Sequence, residues 1–218
     1  MRIPNDTELM NFHDSTLRVR PASQAPVRLL LLLHGWTGDE NSMWIFMRNF
    51  PPDYWIIAPR APQTAEPSGY SWRAPQSGQR GWPTFESLHP SADLLITLVG
   101  EYAAQQNLDA AQFDVIGFSQ GAALTNVLAL LYPGRIRRAG VLSGFLPIGS
   151  ESMIEKHGLS GLPFFVVHGT LDEMVRIEYA RQSVAMLERA GAQVKYCEDE
   201  VGHKLSADGL RSLEEFFA

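Results

Sequence analysis

The chain has 218 residues, of which 45% are hydrophobic and 19% are charged, and it carries a net charge of −6. This composition predicts a folded globular protein with a substantial core, organised as a single domain over residues 1–218. The negative charge without a Lys/Arg block argues against nucleic acid as a partner, and the longest apolar run, residues 29–33, is too short for stable membrane insertion.

The compartment is indicated by two features of the sequence. Cys197 is the only cysteine, so no intrachain disulfide can form and a reducing environment fits. Residues 1–6 are polar and lack the apolar core of a signal peptide. We therefore expect a cytoplasmic protein.

The sequence predicts three strands and one helix over residues 12–58. Residues 12–19 form an edge strand, and the apolar run 27–33 forms a central strand buried on both faces. His34-Gly35 and a turn follow, and Asp39 is placed to cap a helix that reaches about residue 49. A second buried strand then covers residues 54–58.

Residues 62–85 differ from the rest in being rich in proline and aromatic side chains. We expect a long loop near the active site, because long loops in compact domains often bind ligands. Proline restricts the chain, so the loop should form a fixed, shallow apolar wall. The candidate substrate contacts are Tyr70, Trp72 and Trp82. The alternative is a surface loop held by its own aromatic side chains.

The remaining chain alternates helices with buried strands. Helices are predicted at residues 87–106, after Ser119, at 176–190 and from Ser206 or Asp208 to the end; strands are predicted at 113–116, 139–142, 162–167 and 193–197. This alternation indicates an α/β fold with a mostly parallel sheet covered by helices on both faces. The chemistry of such folds gathers at the carboxyl ends of the strands.

The stretch Gly117-Phe118-Ser119-Gln120-Gly121 lies between a predicted strand and a predicted helix. G-x-S-x-G in this context is the nucleophile elbow, in which a strained turn lifts the serine hydroxyl off the sheet. Glycine suits positions 117 and 121, where side chains would collide as strand and helix close. The alternative for the pentapeptide alone is a glycine-punctuated turn with a solvated serine.

A serine nucleophile needs a base, and the base needs an acid to orient it. The chain offers Asp172 after one buried strand and His203 after the next. With Ser119 they follow the order Ser…Asp…His that is expected of folds with a nucleophile elbow. Glu173 is the rival acid, and Asp172 is also placed to cap a helix. The histidines of the pairs 34–35 and 168–169 are expected to shape loops.

Acyl transfer also requires donors for the developing oxyanion. The backbone N–H of Gln120 follows the nucleophile directly, and the backbone N–H of Trp36, in the loop after the first central strand, is the second candidate. No cluster of histidine and acidic residues has metal-ligand spacing, so no metal is predicted.

Several motifs together resemble the α/β-hydrolase family, and most closely its small carboxylesterase/acyl-protein-thioesterase branch, of phospholipase/carboxylesterase type. They extend from residue 27 nearly to the end of the chain. They are Leu33-His34-Gly35-Trp36-Thr37-Gly38-Asp39-Glu40, Gly117-Phe118-Ser119-Gln120-Gly121, Leu142-Ser143-Gly144, His168-Gly169-Thr170-Leu171-Asp172 and Gly202-His203.

The resemblance implies an ester or thioester hydrolase without a cofactor, without a large cap domain, frequently a homodimer, with an aromatic residue near Trp72 at the acyl site. Residues 70–73 match the branch only loosely. For such a hydrolase, the apolar wall expected from residues 62–85 would favour short to medium acyl chains. Two alternatives stay open: a ligand-binding module on the same fold without turnover, and a related hydrolase such as a peptidase. A dienelactone-type enzyme is disfavoured by serine, rather than cysteine, at position 119.

Overall fold

The computed structural model describes residues 5–74 and 82–218, and its centre is an eight-stranded sheet. The strand order is β1-β2-β4-β3-β7-β8-β9-β10. β1 and β2 are antiparallel and β2 runs antiparallel to β4, whereas all other neighbours are parallel. The predicted α/β fold, with its mostly parallel sheet, is confirmed, and the described residues contain no large cap domain.

The strands and helices have the following bounds. The strands are β1 Glu8–Phe12, β2 Ser15–Arg20, β3 Arg28–Leu33, β4 Tyr54–Pro59, β5 Gln63–Thr64, β6 Tyr70–Ser71, β7 Phe113–Phe118, β8 Ile136–Leu142, β9 Pro163–Gly169 and β10 Gln193–Asp199. The helices are α1 Phe85–Gln106, α2 Gln120–Leu131, α3 Glu151–His157, α4 Ile177–Arg189 and α5 Ala207–Phe217. β5 and β6 form a separate two-stranded sheet.

The sheet separates two apolar cores, which explains the continuous apolar run in β3. Leu29, Leu31 and Leu33 face the core that contains α1 and α2, whereas Leu30 and Leu32 face the core that contains α5. Successive residues of a strand point to opposite faces, so a strand covered on both sides needs apolar residues throughout. No helix of the described residues is both long and apolar enough to cross a membrane.

The helix expected over residues 39–49 is absent, and this prediction was wrong. The structure has only a 3₁₀ helix, Ser42–Phe46. Asp39 Oδ1 accepts the Asn41 N–H and the Ser42 hydroxyl, each at 2.9 Å, so this carboxylate closes a turn before the 3₁₀ helix instead of capping an α-helix.

Three other expectations are corrected by the structure. The single edge strand predicted at 12–19 is a hairpin of β1 and β2, and α3 was not predicted. α1 begins at Phe85, two residues earlier than expected, with Pro90 inside it. Thr84 and Ser87 form a capping box that fixes this start, and the buried face of the helix offsets the hydrogen bond lost at proline.

Residues 62–85 contain more regular secondary structure than the predicted loop. β5 and β6 lie within it, and its last residue begins α1. Residues 75–81 of the predicted loop lie outside the described residues.

Candidate active site

The backbone at Ser119 has the strained geometry expected of a nucleophile elbow. Ser119 lies between the end of β7 and the start of α2, and its φ is 53° and its ψ −114°. A positive φ is costly for a residue with a side chain and persists only where its surroundings enforce it. The Ser119 N–H donates to the Leu142 carbonyl at 2.9 Å, which ties the elbow to β8.

Close packing around the elbow leaves no room for side chains at Gly117 and Gly121. A Cβ on Gly117 would lie 2.1 Å from the Gly121 carbonyl oxygen, and a Cβ on Gly121 would lie 2.1 Å from the Leu33 oxygen. Both contacts are with backbone, which has no alternative rotamer to adopt. The collision predicted from the sequence is therefore seen in the structure.

Asp172 and His203 are joined by a short hydrogen bond. His203 Nδ1 lies 2.7 Å from Asp172 Oδ2, and the His203 side chain is 14% exposed while that of Asp172 is fully buried. An ionised carboxylate only accepts hydrogen bonds, so Nδ1 carries the proton. The neutral imidazole then has its proton on Nδ1 and its lone pair on Nε2. This is the tautomer that a general base needs.

The other carboxylate oxygen of Asp172 fixes the loop between β9 and α4. Oδ1 accepts the N–H groups of Met174 and Val175, each at 2.9 Å. The cap residue of α4 is Arg176, so Asp172 is not a helix cap. Glu173, the rival acid, is exposed, whereas Asp172 is buried and directed at a histidine.

The imidazole of His203 lies beside the elbow. Its ring centre is 4.9 Å from that of Phe118, the residue directly before Ser119. The structure thus brings the predicted acid and base together in a hydrogen bond and places the base next to the elbow. Their roles in catalysis stay a prediction.

The loop after β3 lies against the elbow from the other side. A Cβ on Gly35 would be 3.3 Å from the Cβ of Ser119. The peptide that joins Gly35 to Trp36 therefore lies close to Ser119, and Gln120 follows it directly. This is the arrangement expected if the N–H groups of Trp36 and Gln120 bind an oxyanion, a role that stays a prediction.

His34 organises this loop from a buried position. The Ala61 N–H donates to His34 Nε2 at 3.1 Å, so the proton is on Nδ1, which donates to the Gly35 carbonyl at 2.7 Å. Burial lowers the pKa of His34 and keeps the ring neutral. The sequence-based expectation that His34 shapes its loop agrees with these contacts.

His168 has a comparable place beneath Asp172. Its Nε2 lies 2.7 Å from the Val175 carbonyl, to which it donates, and 3.4 Å from Asp172 Oδ2. The residue is 1% exposed, and this burial lowers its pKa. A neutral ring at this place supports the loop that carries Asp172.

The predicted substrate contacts occupy three different environments. Trp82 is 40% exposed and packs against Phe145 and Tyr179, with ring centres 4.6 and 4.9 Å away. Tyr70 is half-buried beneath the Arg60 guanidinium, 4.6 Å from its ring centre. Neither position conflicts with a contact to substrate.

Trp72 does not line an acyl pocket in this structure, which corrects the prediction made for it. Only 1% of the residue is exposed, so an acyl chain would find almost no surface to contact. Its indole N–H donates to the His34 carbonyl at 2.7 Å. The sequence signal, an aromatic residue near the site, did not distinguish a side chain beneath the site from one in its wall.

Sequence reasoning also missed the side chain of Gln120. Its Oε1 accepts the Trp72 N–H at 2.9 Å, and its Nε2 donates to the Ser71 hydroxyl at 3.1 Å. Gln120 is buried, and a buried amide requires partners, but its burial is visible only in the structure. Among the described residues, no group of three or more His, Cys, Asp or Glu side chains could hold a metal ion.

Comparison with known proteins places the chain in a family. The model of the Phospholipase/Carboxylesterase family matches residues 15–218. The chain belongs to this family. Membership confirms the predicted resemblance and the predicted class of enzyme, a hydrolase of the ester-cleaving class.

Individual relatives agree with this membership. A probable carboxylesterase of Oryza sativa subsp. japonica is 36% identical over 47% of this chain and 39% of that protein. Acyl-protein thioesterase 1 of Debaryomyces hansenii is 25% identical over 92% of this chain and 94% of that protein. The crystal structure of a carboxylesterase from Mesorhizobium loti has a TM-score of 0.81 at 22% identity, covering 97% of this chain and 98% of that one, and shows the same fold.

The different environments of Asp172 and Glu173 predict different changes in kcat when each is replaced by its amide. Asp172→Asn should lower kcat by about 10⁴, because an amide cannot stabilise the imidazolium and favours the wrong tautomer. Glu173→Gln, the matched control in the same loop, should change kcat by less than threefold. Steady-state ester hydrolysis measures both, and a larger loss in the Glu173 variant would reassign the acid.

Burial of His168 predicts a pH-dependent stability. Because its pKa is lower in the folded state than the ordinary value of about 6.5, the unfolded chain binds the proton first, and stability falls as the pH drops below about 6.5. Each such histidine contributes up to about 1.4 kcal/mol per pH unit. His168→Gln cannot be protonated, so its free energy of unfolding in urea should fall less steeply from pH 7 to pH 5. Parallel curves for the variant and the wild type would contradict this.

Proposed function

We propose that this protein hydrolyses carboxylic esters and thioesters through an acyl-enzyme on Ser119. The observation that carries the proposal is the Asp172–His203 hydrogen bond beside the strained elbow at Ser119. These groups supply a nucleophile, a base in the required tautomer and an acid to hold it. A ligand-binding module would have no need for this combination.

The proposed reaction has two halves. The Ser119 hydroxyl attacks the substrate carbonyl carbon while His203 Nε2 takes its proton, and Asp172 stabilises the imidazolium. The carbonyl oxygen becomes an oxyanion that accepts hydrogen bonds from the backbone N–H groups of Trp36 and Gln120. The imidazolium then protonates the leaving alcohol or thiol as the C–O or C–S bond breaks, which leaves the acyl group on Ser119.

Water completes the cycle in the proposed mechanism. His203 removes a proton from water, the hydroxide attacks the acyl carbon, and a second tetrahedral oxyanion forms between the same donors. Its collapse returns the proton to Ser119 Oγ and releases the carboxylic acid. No cofactor takes part in these steps.

The proposed substrates are supported by the relatives of this chain and by exposed aromatic side chains. Relatives named carboxylesterase and acyl-protein thioesterase support both esters and thioesters as substrates. Trp36 and Trp82, 39% and 40% exposed, are available to contact short to medium acyl chains. We retain a cytoplasmic location and a homodimer as parts of the proposal; the single cysteine fits the first, and family resemblance alone suggests the second.

The nucleophile is tested by Ser119→Ala. We expect the variant to lose hydrolysis of both esters and thioesters over a panel of graded chain length, because the acyl-enzyme cannot form. An alkylphosphonate probe should label the wild-type protein at Ser119 alone, as shown by peptide mass spectrometry.

Ser143→Ala is the matched control for this experiment. Ser143 also follows a strand with a positive φ of 49°, but it is fully buried, so its loss should leave labelling and turnover within a few-fold of wild type. Turnover retained in Ser119→Ala, or labelling at another residue, would reject the proposed mechanism.

A further inference from the structure

Trp72 has all of its polar groups engaged with three different elements around the site. Its indole N–H donates to the His34 carbonyl at 2.7 Å, and its backbone N–H donates to Gln120 Oε1 at 2.9 Å. Its own carbonyl accepts the hydroxyl of Ser91 in α1. The residue is 1% exposed, and these bonds hold both its backbone and its indole ring in place.

Two of these partners directly adjoin the proposed oxyanion donors. His34 precedes the Gly35–Trp36 peptide, and Gln120 is itself the residue after the nucleophile. Trp72 therefore connects the end of β3 with the beginning of α2 through two hydrogen bonds from one residue.

The direction of the Trp36 N–H is set through His34. The Gly35 carbonyl accepts His34 Nδ1–H at 2.7 Å and the Gly38 N–H at 3.0 Å. A trans peptide is planar, so the N–H of Trp36 points opposite to that carbonyl. The His34 ring lies against Trp72, with ring centres 5.0 Å apart, and this contact holds the ring that orients the peptide.

Residues on either side of Trp72 reinforce the same loop. The Thr37 N–H donates to the Tyr70 carbonyl, and the Tyr70 N–H donates to the Gly38 carbonyl, both at 3.0 Å. The Ser71 hydroxyl accepts from Gln120 Nε2. The short strand Tyr70–Ser71 and Trp72 thus bind the loop after β3 and the elbow at the same time.

We infer that Trp72 is a positioning residue of the oxyanion hole: its hydrogen bonds to His34 and Gln120 hold the Trp36 and Gln120 N–H groups at the separation that the tetrahedral intermediate requires. This inference rests on the proposed function at Ser119. A misplaced donor weakens binding of the oxyanion but not of the neutral substrate, so kcat should fall while KM is kept.

The protein contains a matched control for the loss of one indole hydrogen bond. Trp44 is also buried, at 2% exposure, and its indole N–H donates to the Glu40 carbonyl at 2.9 Å. Glu40 adjoins neither proposed donor. Trp72→Phe and Trp44→Phe therefore remove the same kind of bond and differ in which backbone the bond holds.

The test measures kcat and KM for p-nitrophenyl butyrate in both variants, and inhibition by a trifluoromethyl ketone, which forms a tetrahedral oxyanion on serine. For Trp72→Phe we expect kcat to fall about 10- to 100-fold, below the full loss of a donor, with KM within twofold. The inhibition constant of the ketone should rise by a similar factor. Trp44→Phe should keep kcat within threefold.

Gln120→Met is the second variant and removes the other hydrogen bond of Trp72 if Trp72→Phe does not fold. It should give the same signature, a lower kcat with KM unchanged. Equal kcat losses in Trp72→Phe and Trp44→Phe, or a raised KM with kcat and ketone inhibition unchanged, would overturn the inference. If Ser119→Ala hydrolyses the ester in the same assay, the proposed function fails instead.

Discussion

The close approach of β7, α2 and β3 at the elbow is the constraint on which the site depends. Gly121 lies so near the Leu33 carbonyl, and Gly117 so near Gly121, that only glycine fits at either position. With the strand and helix this close, the chain between them turns within one residue, and Ser119 takes a positive φ. The apolar cores on both sides of the sheet stabilise the structure against this local strain.

The neighbours of β7 in the sheet determine which loops lie close to Ser119. β3 lies next to β7, so the loop that follows β3 is adjacent to the elbow. β8 and β9 lie on the other side, and the loops after β9 and β10 bring Asp172 and His203 together. In a parallel sheet these loops all leave from one edge, so residues far apart in sequence meet there.

Much of this arrangement could be predicted because its causes are local or periodic. Apolar runs identified the central strands, and the pentapeptide around Ser119 identified the elbow. Asp172 and His203 were identified because each follows a predicted strand and the two come after Ser119 in the order Ser…Asp…His. By contrast, the 3₁₀ helix at Ser42–Phe46 was predicted as an α-helix, since Asp39 and the following apolar residues are compatible with both.

The contacts beneath the site could not be predicted, because they depend on tertiary hydrogen bonds between distant residues. The sequence predicts a substrate contact at Trp72, but its indole N–H is bonded to His34, 38 residues away. Gln120 was expected to act only through its backbone. Its side chain bonds Ser71 and the backbone of Trp72, and composition and spacing carry no information about that pairing.

We propose that the N–H groups of Trp36 and Gln120 form one oxyanion hole, which faces the nucleophile at Ser119. A crystal structure of the protein after reaction with an alkylphosphonate tests it most directly, since the phosphonyl oxygen occupies the place of the oxyanion. Phosphorus should be bonded to Ser119 Oγ, with the phosphonyl oxygen about 2.7–3.1 Å from both backbone nitrogens. A phosphonyl oxygen bound by other donors, or directed into solvent, would contradict it.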